Sequence, residues 1–168
     1  RLPMLLPCFK EVKELTVELV KTPSVVRTSG EAECARRIYG FYSGLEYFRQ
    51  HPAQLILQRT VEDDIERFNV LAMVRGTQGD SRRAVILLGH IDTVGVEDFG
   101  SLREHAWDPE TLEGLLRQMD LREEVQRDLD SGEYLFGRGA LDMKSGVAGQ
   151  MWLVRYFAEH PEELNGCL

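Results

Sequence analysis

The run Ala84-Val85-Ile86-Leu87-Leu88 is five consecutive apolar residues, with Arg82-Arg83 before it and Gly89 after. A stretch this short and this apolar is expected to be a strand buried on both faces, as in a mostly parallel sheet covered by helices. The surrounding sequence supplies such covers. Residues 8–21 carry Phe9, Val12, Leu15 and Leu19 near one helical face, and Thr22-Pro23-Ser24 stops them. Thr28-Ser29-Gly30-Glu31 has the form of a capping box. It opens a second helix with the stripe Ala35, Ile38, Tyr42 and Leu45, closed by His51-Pro52. Shorter β-type runs follow at Leu55-Ile56-Leu57, from Asn69 to Val74, and at Tyr134-Leu135-Phe136. Ser145 is expected to cap a last helix bearing Val147, Met151, Val154 and Ala158, with His160-Pro161 ending it. Asn165-Gly166 reads as a turn, and Cys167-Leu168 as the start of another strand. Helices and strands in this order point to an α/β layered domain.

Charge is distributed unevenly. The chain has 168 residues, with Lys+Arg 20 and Asp+Glu 28, a formal net charge of −8. Segment 96–133 alone holds 12 acidic and 4 basic residues, a net of −8, and so carries the whole excess. Asp108-Pro109 is an N-cap followed by proline at the first helical position. Two solvated helices are expected there, with Leu112, Leu115, Leu116 and Met119 on one and Leu121, Val125 and Leu129 on the other. An acidic chain is a poor binder of nucleic acid or anionic membrane through bulk charge. No apolar run approaches the ~20 residues that span a bilayer. The opening Arg1-Leu2-Pro3-Met4-Leu5-Leu6-Pro7 is interrupted by prolines and does not read as a signal peptide. Cys8, Cys34 and Cys167 are scattered and form no metal or disulfide framework, which suits reduced thiols in a cytoplasmic protein.

Two clusters carry chemistry. The first, Gly89-His90-Ile91-Asp92-Thr93-Val94, follows the apolar strand, where open α/β sheets place their ligand sites. His90 and Asp92 alternate along an extended backbone and so project to the same side. A metal-ligating imidazole needs its second nitrogen held by an acceptor, and Asp92 can supply one. The second is Phe136-Gly137-Arg138-Gly139-Ala140-Leu141-Asp142-Met143-Lys144-Ser145-Gly146. Its glycines allow a tight turn. It presents Asp142 just before a helix N-terminus, where positive partial charge favours a carboxylate. A carboxylate can bridge two divalent ions about 3.5–4 Å apart. The remaining histidines read as structural: His51 and His160 at helix ends, His105 on the surface. Glu162-Glu163 reads as a solvated loop pair.

In this order, GHIDTV and YLFGRGALDMKSG resemble the co-catalytic zinc peptidases and deacylases. That family includes acetylornithine deacetylase, succinyl-diaminopimelate desuccinylase, aminoacylase and glutamate carboxypeptidase. FGRGALDMKSGVAG and the acidic insertion look most like its arginine-utilisation branch. The resemblance implies a three-layer αβα zinc-exopeptidase-like catalytic domain, of which residues 1–168 would be the N-terminal part. It implies that His90 ligates a zinc ion, that Asp92 orients His90, and that Asp142 bridges two metals. It further implies a cis peptide at Asp142-Met143 and loop-holding roles for Arg138 and Lys144. The cofactor would be two Zn2+, with Co2+ or Mn2+ as substitutes. The substrate would be a small N-acyl amino acid or peptide, with homodimerisation through a lid domain lying elsewhere.

Two departures accompany the resemblance. The interval from Asp92 to Asp142, 50 positions, exceeds the family's usual one because of the acidic insertion. The family's general-base Glu and its remaining metal ligands have no counterpart in these residues and are expected beyond Leu168. This segment alone is therefore expected to bind zinc weakly and to be inactive. The rival class is a catalytically inactive relative serving as a binding or regulatory module.

Overall fold

The computed structural model describes residues 8–168; the opening segment read above as no signal peptide lies outside them. The chain forms α1 (Phe9–Val20), α2 (Gly30–Ser43), α3 (Glu46–Gln50), β1 (Leu55–Arg59), β2 (Phe68–Ala72), α4 (Pro109–Leu116), α5 (Glu123–Ser131) and α6 (Ser145–Glu159). No described helix is long and apolar enough to cross a membrane.

The helical stripes become the core. Leu15 and Leu19 of α1, Cys34, Ile38 and Tyr42 of α2, and Val147, Met151, Val154 and Ala158 of α6 are all buried in one cluster. α1 packs on α6, and α2 packs on both strands. The expected helices are thus present, with small changes at their ends. α2 stops at Ser43 and a separate turn of helix, α3, runs up to His51-Pro52. The expected capping box is only half formed: Glu31 accepts from the Arg27 N–H, while Thr28 Oγ1 accepts from Gly30 rather than from the third helical residue. Ser145 is the first residue of α6 and makes no side-chain cap.

β1 and β2 form an antiparallel pair in which Ile56 faces Leu71 and Leu57 faces Val70. Leu55 and Val74 are buried, whereas Ile56, Leu71 and Met73 are exposed. One face of the sheet therefore packs on helices and the other is bare, as period-two alternation requires.

The apolar run 84–88 departs from expectation. It is extended but belongs to no ladder, and only Ala84 makes a bridge, to Cys167. Val85, Ile86, Leu87 and Leu88 are exposed, Ile86 at 79% and Leu88 at 82%. Its composition suits a doubly covered strand, but among the described residues nothing lies over it. Tyr134–Phe136, also expected to be a strand, forms no regular element. The sheet is accordingly two strands plus isolated bridges. The architecture is mixed helix and sheet.

The acidic segment does form helices. Asp108 caps α4 by accepting from the Thr111 N–H, and Leu112 and Leu129 are buried beneath α4 and α5. A 3-10 stretch, Glu97–His105, precedes them. The three cysteines are free thiols, Cys34 buried and Cys8 and Cys167 half-buried.

Met151 is fully enclosed at the centre of the helical layer. Met151→Ala is expected to lower unfolding free energy by about 2–5 kcal/mol, read from a denaturant midpoint. Ile86→Thr, on the uncovered run, is expected to change it by no more than about 0.5 kcal/mol.

Candidate functional site

The extended segment after Leu88 is fixed from two sides. On one side, Gln150 Nε2 of α6 donates to the Leu88 carbonyl at 2.9 Å. A Cβ on Gly89 would sit 3.1 Å from Val147 Cγ2 and 3.2 Å from Met143 Cε, so any larger residue would push these side-chain tips aside. On the other side, Ser24 Oγ donates to the Ile91 carbonyl at 2.6 Å. Thr93 N–H donates to Ser24 O and Val26 N–H to Thr93 O, each at 2.9 Å. Ser24, Gln150 and Met143 hold the motif in place, yet their types and spacing give no sequence signal for that task.

The Asp142 loop is fixed from below. Lys144 is 1% exposed, and its Nζ donates to the carbonyls of Leu19 at 2.8 Å and Thr22 at 2.6 Å. These carbonyls end α1, where unsatisfied C=O groups carry negative partial charge. The ammonium also lies 5.6 Å from the Trp107 ring centre. Burial lowers the Lys144 pKa, since an enclosed charge is less well solvated. Gly139, at φ 79°, passes so close to Thr93 that a Cβ would lie 2.7 Å from its methyl group. Arg138 donates its guanidinium to Asp98, stacks over Phe99 and gives its backbone N–H to Ala106 O. Lys144 and Arg138 thus both hold the loop. The Asp142–Met143 peptide is cis, as the family resemblance implied.

These two supports bring His90, Asp92 and Asp142 together. His90 Nε2 lies 2.9 Å from Asp142 Oδ1. His90 Nδ1 lies 3.1 Å from the Asp92 carbonyl and 3.5 Å from the Asp92 carboxylate. The anchor of the ring is therefore chiefly the Asp92 backbone, with its carboxylate at longer range. All three side chains are open to solvent, and Asp142 is 85% exposed.

This geometry has a chemical consequence. Both ring nitrogens face oxygen acceptors, but a neutral imidazole has only one N–H to donate. With Nδ1–H given to Asp92, the Nε2 lone pair confronts a carboxylate. That contact is favourable only if a cation stands at Nε2, either a proton or a metal ion. The 2.9 Å separation is that of a shared proton, and the same imidazole nitrogen and carboxylate oxygen are atom types that a divalent ion takes as donors. The residues therefore fit a cation. Without a metal, the hydrogen bond that His90 Nε2–H donates to Asp142, with the nearby Asp92, raises the His90 pKa.

Other clusters lie elsewhere. His160, Glu162 and Glu163 offer ligand atoms within 4.8 Å of one another at the far end of α6. Glu163 there accepts from Tyr156 Oη, consistent with a solvated loop pair. A groove of about 750 Å³ lined by Tyr47, His51, Arg75 and Glu159 contains none of the motif residues. His51 Nδ1 is engaged by the Tyr47 carbonyl.

The chain matches no family model and no solved structure. It is similar to curated proteins. It is 39% identical over 157 residues to Protein RocB of Bacillus subtilis, covering 94% of this chain and 28% of that protein. It is 35% identical over 143 residues to "Uncharacterized protein YqjN" of the same organism, covering 84% of this chain and 25% of that one. It is 30% identical over 100 residues to an N-formyl-4-amino-5-aminomethyl-2-methylpyrimidine deformylase of Halalkalibacterium halodurans, covering 60% of this chain and 19% of that enzyme. The matched regions thus span 19–28% of the length of these relatives.

In chelator-treated protein, His90 is expected to titrate above the ordinary imidazole range, and Asp142→Asn to bring it down, followed by NMR. The His90 contribution to stability is then present below the unfolded imidazole pKa and fades as pH rises through the raised folded value. Lys144→Met leaves the Thr22 carbonyl without a donor, while Leu19 O keeps the Thr22 N–H. It is expected to cost about 1–3 kcal/mol in a chemical melt.

Proposed function

We propose that this chain, similar to Protein RocB and to a deformylase, supplies part of a divalent-metal site in a hydrolase that cleaves amide bonds. The domain in this reading is a three-layer αβα metallopeptidase-like fold, of which the mixed helix and sheet described here is the N-terminal portion. The observation that carries it is the pairing of His90 Nε2 with Asp142 Oδ1 at 2.9 Å while Nδ1 is already engaged. A nitrogen and a carboxylate oxygen are donors suited to zinc. The deformylase relative is named for an N-formyl compound, and removal of a formyl group from nitrogen is amide cleavage.

His90 and Asp142 would hold the ion, and a metal bound there supplies Lewis acidity to polarise a carbonyl and activate water. The remaining tasks fall to the chain itself. Asp92 fixes the tautomer of His90 by accepting the Nδ1–H hydrogen bond on its backbone carbonyl, so that the Nε2 lone pair is left free. Lys144 and Arg138 keep Asp142 within reach of that nitrogen. The general base and further ligands belong to parts of the relatives that these residues do not match. Substrates in this reading are small N-acyl amino acids or peptides, with arginine catabolism as the setting.

The test is metal analysis of the protein as its host makes it. One to two equivalents of zinc are expected, with loss on His90→Ala or Asp142→Asn, and chelator-sensitive release of amine from N-formyl or N-acetyl amino acids. Full activity after exhaustive chelation would refute the reading. Asp92→Ala is expected to weaken zinc by about tenfold, the low end of the usual second-ligand effect, because the backbone carbonyl remains.

A further inference from the structure

The two halves of the candidate metal site, 52 positions apart, are fastened to one short stretch after α1. Thr22 and Ser24 are 2% and 0% exposed. The Thr22 carbonyl accepts from Lys144 Nζ at 2.6 Å and so ties down the Asp142 loop. Ser24 grips the His90 segment twice. Its Oγ donates to the Ile91 carbonyl at 2.6 Å, and its own carbonyl accepts from the Thr93 N–H at 2.9 Å. Only Pro23 lies between the two fastenings. Two residues reach at most about 7 Å, and the proline ring fixes one torsion between them. The stretch is also pinned by the first residue of α2. Gly30 passes so near that a Cβ there would lie 2.2 Å from the Pro23 carbonyl oxygen.

The two grips of Ser24 fall on either side of Asp92. The peptide joining Asp92 to Thr93 is trans, since the cis bond among the described residues is Asp142–Met143. In a trans peptide the N–H and the C=O point in opposite directions. With the Thr93 N–H turned to Ser24, the Asp92 carbonyl is turned away, and there it lies 3.1 Å from His90 Nδ1. The preceding peptide is oriented through the Ile91 carbonyl, for which the Ser24 hydroxyl is the sole donor among the described residues. Thr93 in turn meets the other half of the site: a Cβ on Gly139 would lie 2.7 Å from its methyl group.

We infer that Ser24 is a positioning residue for the metal site. Its hydroxyl orients the backbone around Asp92, and its place two residues from the Lys144 anchor sets the spacing of His90 from Asp142. The inference rests on the metal reading proposed above. It adds that the two donors are gauged against each other by the stretch Thr22–Ser24, and that loss of one buried hydroxyl loosens the pair without removing a ligand.

The test uses the full-length protein, kept reduced, stripped of metal and reloaded with zinc or Co2+. Ser24→Ala is expected to weaken zinc binding by about tenfold and to alter the d–d absorption of the Co2+ form. Ser24→Cys keeps the volume and replaces the hydroxyl by a weak donor, so it is expected to act in the same direction. Thr16→Val is the control. It removes a buried hydroxyl of α1 that bonds the Val12 carbonyl, and it is expected to leave both metal readouts at wild-type values. Wild-type affinity and spectrum in both Ser24 variants overturn the inference and leave the metal reading standing. An equal loss in Thr16→Val also overturns it, because general loosening would then be the cause. Full-length protein without His90-dependent uptake of Co2+ overturns both.

Discussion

The buried ammonium of Lys144 is the contact on which the site depends. It sits where α1 ends, bound to the carbonyls of Leu19 and Thr22. A helix terminus with open carbonyls needs donors, and a buried cation needs acceptors, so each satisfies the other. Because Lys144 follows Asp142 by two residues, this ties the loop that carries the exposed Asp142 carboxylate to the helical layer. His90 is referred to the same layer through Gln150 and Met143 of the α6 region. Two motifs separated by a long acidic excursion thus meet because both are bolted to one core of α1, α2 and α6. No carboxylate is spent on Lys144, and all three of His90, Asp92 and Asp142 stay free to face outward.

Much of this was legible in the sequence where periodicity and local chemistry agree. The stripes of α1, α2 and α6 and the Asp108 cap depend on near neighbours, and they form, except that Phe9 is exposed and Leu45 lies past the end of α2. The proximity of His90 to Asp142 was reachable only through family resemblance, since nothing local encodes a meeting across 52 positions. The partners that fix it were invisible. Ser24, Gln150 and Met143 act through single long-range contacts that no pattern announces. The apolar run 84–88 has the composition of a covered strand and yet lies bare, for a related reason. Composition reports what surroundings a segment is suited to, whereas burial depends on whether those surroundings are present. Tyr134–Phe136 has aromatic and aliphatic residues favourable to a strand, but no described strand lies beside it to pair.

The acidic segment shows a different economy. Its two helices bury only a few apolar residues, chiefly Leu112 and Leu129, and the rest of the surface is solvated. Its charges are partly met by Arg117, which bonds Glu113 and Asp130, and by Lys21, which reaches Glu110. Such exposed pairs are individually weak. The connection that matters runs through Asp98 and Phe99, which hold Arg138. The insertion therefore borders the Asp142 loop without supplying any of the groups gathered at His90.

The bare face of the sheet has a consequence for how the polypeptide behaves at high concentration. Ile56, Leu71, Met73, Ile86 and Leu88 share that side, given the register through Cys167. A β-prone window without charge, with its hydrogen-bonding edge open, is a template for misassembly. In concentrated solution such a face favours edge-to-edge association between copies.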